Sequence, residues 1–230
     1  ISPGPAGFEI LAQEKRMIPS RVTVSGKEIT CENVASMRVP AGYRVQGKQL
    51  QSFSTPVRGP IKEVMRDRMT FIFGTAGTPE ENAWMLAKAR YDAEQFWYRG
   101  NGGVKVLADT DAKSATGTRV LYGNSAINKL WSKNAPIKVE SGSLKYSEKS
   151  ANGSVGSIFW FSDKGRSVVC IGGTDLAGMK STERLPLFVS GVGYPDWVVF
   201  KPSVVAEGYQ GVIGAGYWSP DSNPGEFVWR

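Results

Sequence analysis

Hydrophobic positions fall along this chain in two rhythms, and the change between them comes near residue 60. Beyond it, short apolar runs stop at glycine and give way to stretches with apolar residues at helical spacing. Residues 70–73 predict a buried strand closed by Gly74. Thr78 then opens a helix, with Pro79 at its first position and Glu81 three residues on to complete a capping box. Trp84, Ala87 and Tyr91 follow at helical spacing, and Arg99-Gly100 marks the end. Trp84, Tyr91 and Trp97 are assigned to core and edge packing.

The same alternation continues with a strand at 104–108 and another at 119–122. The second is closed by Gly123 and followed by a predicted helix carrying Ile127, Leu130 and Trp131. Residues 157–161 and 167–171 read as a hairpin across Asp163-Lys164-Gly165. A helix or irregular segment then runs to about Val189, and 197–200 is a last buried strand after the turn Tyr194-Pro195-Asp196. The tail from 208 to 230, rich in glycine and aromatics, is expected to add edge pairing. Strands alternating with helices argue for an α/β fold: a three-layer domain over 59–230 with a mainly parallel sheet covered on both faces.

Before residue 60 the apolar runs are short and partly alternating. Residues 21–24, 28–31 and 35–39 read as short strands, with turns at Ser25-Gly26-Lys27 and Pro40-Ala41-Gly42. Residues 51–60 read as a linker, so 1–58 are taken as a small β-rich segment and its linker.

Composition narrows the chemistry more than the fold. The chain has 230 residues, 41% hydrophobic and 21% charged, as in ordinary globular proteins, and has no apolar run of membrane-spanning length. Its net charge of +7 is spread among acids, as in Arg66-Asp67-Arg68, so no nucleic-acid face is expected. Cys31 and Cys170 each sit in a strand-like context and read as small buried hydrophobes, which leaves the redox compartment open. The start, Ile1-Ser2-Pro3-Gly4-Pro5, has neither an initiator methionine nor a signal pattern and suggests a processed or excised piece.

Histidine is absent from the whole chain. That removes Ser-His-Asp and Cys-His catalysis and histidine-bearing zinc sites, and no serine is followed by lysine three residues later. Val120-Leu121-Tyr122-Gly123-Asn124-Ser125 resembles a nucleophile elbow but lacks the second glycine where Ile127 stands, so Ser125 is read as opening a helix. No catalytic residue, metal or cofactor is assigned.

Glycine turns after three strands remain as candidate ligand positions. They supply Gly74, Thr75, Gly77 and Thr78; Asn124 and Ser125; and Gly173 and Thr174. At the carboxyl edge of an open sheet, such turns can seat a sugar, nucleotide or other anion on free amides. Asp109 and Asp111, after the 104–108 strand, read either as cation ligands or as caps. Neither a Gly-x-Gly-x-x-Gly nor a phosphate-loop motif occurs, and turn or capping duty explains each of these residues equally well.

Five phrases together resemble the segment downstream of the catalytic domain in bacterial α/β-hydrolase proteins of the prolyl-oligopeptidase-like and esterase type. They are Glu28-Ile29-Thr30-Cys31-Glu32-Asn33-Val34, Gly59-Pro60-Ile61-Lys62-Glu63-Val64, Val120-Leu121-Tyr122-Gly123-Asn124, Val168-Val169-Cys170-Ile171-Gly172-Gly173-Thr174 and Pro195-Asp196-Trp197-Val198-Val199. Their order covers about residues 20 to 218. The resemblance implies a non-catalytic accessory module, a small β part followed by a Rossmann-like α/β part, with an upstream or partner serine hydrolase as its companion. It assigns no functional residues.

Overall fold

The computed structural model describes residues 21–24, 27–30, 43–46, 49–52, 61–65, 68–189, 192–218 and 224–229. The chain divides into two compact units, 1–57 and 58–230. In the first, β1 (Arg21–Val24), β2 (Lys27–Thr30), β3 (Tyr43–Gln46) and β4 (Gln49–Ser52) form one sheet in the order β2-β1-β4-β3. The expected strand at 35–39, the turn at 40–42 and Cys31 lie outside the described residues. β4 reaches into the stretch read as a linker.

The second unit is built on an eight-stranded mixed sheet in the order β15-β14-β13-β11-β12-β7-β5-β6. These strands are β5 (Met69–Phe73), β6 (Lys105–Ala108), β7 (Thr118–Gly123), β11 (Gly156–Asp163), β12 (Arg166–Gly173), β13 (Trp197–Phe200), β14 (Val212–Trp218) and β15 (Pro224–Trp229). β6, β5, β7 and β12 run parallel. From β12 through β11, β13, β14 and β15 every pairing is antiparallel. The sheet is therefore mixed where a mainly parallel one was expected, because the β11–β12 hairpin reverses the chain within it. That hairpin turns on Lys164 and Gly165, both at positive φ as a two-residue turn of this hand requires. The tail does pair at the edge, through β14 and β15.

Adjacent residues of the central strands pack into different cores, as a period of two dictates. Phe71, Val120, Tyr122, Ile158, Val169 and Ile171 join α1 (Ile61–Val64), α2 (Pro79–Gly100) and α3 (Leu176–Ser181) in one cluster. Ile72, Leu121, Phe159, Phe161 and Cys170 join Ile137, Val139, Leu144 and Tyr146 in the other. The latter four belong to a meander of β8 (Ile137–Glu140), β9 (Ser143–Tyr146) and β10 (Lys149–Asn152), paired in the order β10-β9-β8. One face of the main sheet thus carries helices, and the other carries a small second sheet.

Helix α2 carries the expected capping box, with Thr78 Oγ1 accepting from Glu81 N and Glu81 Oε2 accepting from Thr78 N. Its buried side is Trp84, Met85, Lys88, Ala89 and Asp92. Tyr91 is 55% exposed and Trp97 66% exposed, so neither is core. Among the described residues no helix is long and apolar enough to cross a membrane.

Candidate functional site

Strand order locates where a ligand would sit in such a sheet. From β5 the chain moves through α2 to β6 on one side; from β7 it moves, through the meander and β11, to β12 on the other. β5 and β7 are neighbours, so their carboxyl ends flank a topological switch point, the usual ligand crevice of open α/β sheets. The candidate residues Gly74, Thr75 and Asn124 lie at this point.

The crevice is filled by the chain itself. The segment after Asn124, expected to be a helix, forms a run of turns. One turn closes when Asn128 N donates to Asn124 O, and then asparagine side chains compete with the helix. Asn124 Oδ1 accepts from Ala126 N, and Asn128 Oδ1 accepts from Leu130 N. Asn128, 1% exposed, donates through Nδ2 to Ile72 O at 3.2 Å and Tyr122 O at 2.9 Å. It plugs the gap between β5 and β7 with backbone-matched hydrogen bonds.

Other candidate donors are committed in the same way. Ala76 N donates to Ile127 O at 3.1 Å, Gly77 N to Asn82 Oδ1 at 3.0 Å and Thr78 N to the Glu81 carboxylate at 2.8 Å. Gly74 has no room for a side chain, since a Cβ there would stand 2.4 Å from Ile127 O. Asp109, 5% exposed, accepts from Thr75 Oγ1 and from Lys129 N, each at 2.7 Å. Asp111 leads into a 3-10 turn at Ala112–Ser114 with no side-chain cap. Among the described residues no cluster of three or more acidic, cysteine or histidine side chains could hold a metal.

The second and third turns are joined directly, because Asn124 Nδ2 donates to Gly173 O at 2.9 Å. Thr174 donates to Gly153 O and accepts from Val155 N at 2.9 Å, which ties β12 to the start of β11. Ser125 is exposed, stands outside any helix, and binds Val139 O through its amide. The structure therefore brings Gly74, Thr75, Asp109, Asn124 and Gly173 to one edge, where they bond to the chain. Asp109→Ala is expected to cost about 2 kcal/mol in urea denaturation, since two donors lose a carboxylate. A loss under about 0.5 kcal/mol, the range of neutral surface changes, would contradict this role.

Two polar networks join residues that no local sequence pattern links. Beneath α2, Lys88 Nζ lies 2.5 Å from Asp92 Oδ1, and Tyr122 OH donates to Asp92 Oδ2 at 3.0 Å. All three are buried. Burial pushes the Asp92 carboxyl above its usual range against the opposing pull of Lys88 and the hydrogen bonds. Burial, reinforced by Asp92, pushes the Tyr122 phenol well up. Farther along the sheet, Asp196 accepts from Trp160 Nε1 at 2.6 Å and from Trp218 N at 2.7 Å, fastening β14 to β11. Burial raises its pKa, and the two hydrogen bonds oppose that rise. Proline and aspartate in Tyr194-Pro195-Asp196 signal a turn, whereas its anchoring role depends on strands distant in sequence.

No family model matches the chain, and comparison with curated proteins finds no match.

Proposed function

We propose that this chain is a non-catalytic accessory module that works beside a serine hydrolase of peptidase or carbohydrate-esterase type, carried upstream in the same polypeptide or as a partner chain. The observation that carries the reading is the plugged switch point. Where open α/β sheets place a nucleophile or a substrate, Asn128 and Asp109 bind backbone and hydroxyl groups of neighbouring turns. The histidine-free composition supports the same reading, because a hydrolytic serine needs a base near neutral pH. A partner contact is supported by exposed aromatics on α2, with Trp97 and Tyr98 at 66% and 75% exposure.

The reading extends to the fold. The parallel order β6-β5-β7-β12 supports a Rossmann-like half, to which the antiparallel strands β11 and β13–β15 have been added. The layers would then be helices, main sheet and meander.

An active-site-directed fluorophosphonate tests the proposal. The 230-residue chain is expected to take up no label. The complete gene product or its co-purifying partner is expected to carry one reactive serine, in a Gly-x-Ser-x-Gly setting outside residues 1–230. Labelling of the chain itself, or absence of a labelled hydrolase in both places, sinks the reading.

A further inference from the structure

The carboxyl edge of the main sheet is closed at β5 and β7 but opens farther along, where β13 ends. β13 is antiparallel to β11, which is antiparallel to β12, so β13 runs with the parallel strands and finishes on the same edge. Beside its end lies a pocket of about 430 Å³, bounded by β10, the turn at 201–203 and β15. That volume falls within the usual range of small-ligand sites.

Its polar lining is rich in groups with spare hydrogen-bonding capacity. Ser154 donates its hydroxyl proton to Asp175 Oδ2, which leaves its oxygen as an acceptor. Ser203 stands at the N-cap of α4 (Val204–Glu207), yet its side chain makes no cap hydrogen bond. Ser150 and Asn152, both exposed on β10, an edge strand of the meander, also border the pocket. Lys201 is exposed and forms no ion pair among the described residues. Among the described residues no carboxylate lines the pocket, so its one charge is positive.

An apolar wall completes the site. Trp229 is half-buried and held in place, since its Cε3 lies 2.7 Å from where a Cβ on Gly214 would be. An indole offers a flat apolar surface suited to the C–H face of a pyranose, and hydroxyl and amide side chains suit its hydroxyls. A lone ammonium adds the attraction for a single negative group.

We propose that this pocket binds a monosaccharide unit bearing one anionic group, a carboxylate or a phosphate. The site is independent of the hydrolase association and would stand if that association failed.

Calorimetric titration of the full chain with D-galacturonate, glucose 6-phosphate, glucose and inorganic phosphate tests it. At least one acidic sugar is expected to bind about tenfold or more tightly than either glucose or phosphate, and the preferred one identifies the acid. Lys201→Gln, at an exposed position, should reduce that preference to near parity with glucose. Trp229→Ala should weaken all sugar binding by about tenfold; if that variant does not fold, Ser203→Ala is expected to weaken it by several-fold. Absence of a preference for acidic sugars overturns the proposal, as does binding left unchanged by both Lys201→Gln and Ser203→Ala.

Discussion

Gly172→Ala is expected to destabilise the protein by more than about 4 kcal/mol, a loss rarely produced by one methyl group. Gly172 lies in β12 directly beside Gly123 of β7, in the parallel part of the main sheet. A Cβ on Gly172 would stand 1.6 Å from Gly123 O and 2.7 Å from its carbonyl carbon. Those atoms are backbone in a central strand, so they cannot swing aside as the end of a side chain would. The two strands must separate, and their ladder hydrogen bonds with them. Since domains are held by only about 5–15 kcal/mol, most of the variant is expected to be unfolded or insoluble. Gly103→Ala is the control, because nothing lies within 4 Å of its Cβ position. A Gly172→Ala melting curve close to that of Gly103→Ala would show that β7 and β12 do not approach as described.

Lys88→Met is expected to cost about 3–5 kcal/mol, the usual penalty for removing one partner of a buried ion pair. The substitution keeps the stem that packs beneath α2 but leaves Asp92 without its cation. Adding Asp92→Asn to Lys88→Met should recover more than half of the loss, because the new side-chain amide is neutral and can still accept from Tyr122. The pH dependence gives an independent check. Asp92 already has a raised folded-state pKa, so its protonation contributes stability that is fully present below the unfolded value and is lost as pH rises through the folded one. Removing the attraction of Lys88 raises the folded value further. The deficit of Lys88→Met relative to the parent should therefore be small in acid and grow towards neutral pH, as followed by urea midpoints across that range. A deficit independent of pH would mean that lost packing, and not the stranded carboxylate, is responsible.

Helix α2 shows where reading the sequence succeeded and where it failed. Its start was legible because capping is local: Thr78, Pro79 and Glu81 lie within four residues of one another. Its buried face was not. Trp84, Ala87 and Tyr91 suggested one apolar stripe, whereas the observed one contains Lys88 and Asp92. A charged residue enters a core only when its partner is supplied, and Tyr122, which completes the set, comes from a strand 30 residues away. The meander carries a period-two signal, since Ile137 and Val139, then Leu144 and Tyr146, alternate with Lys138, Glu140 and Lys145. The turns after Asn124 failed as a helix because Asn128 turns inward to two strand carbonyls, partners that no local pattern reveals.

What the sequence by itself determined was what can be decided over a few residues or by composition. It placed the glycine-closed strands of the second unit, the capped start of α2, the 163–165 hairpin turn, and the exclusion of histidine chemistry. Only the tertiary structure decided what those pieces do together. It set the mixed order of the sheet, paired Lys88 with Asp92 and Tyr122, and closed the β5–β7 crevice while leaving a pocket beside β13. The physical reason is that a turn amide looks the same in sequence whether it awaits a ligand or already binds Ile127 O. The distinction depends on which distant segment packs against it.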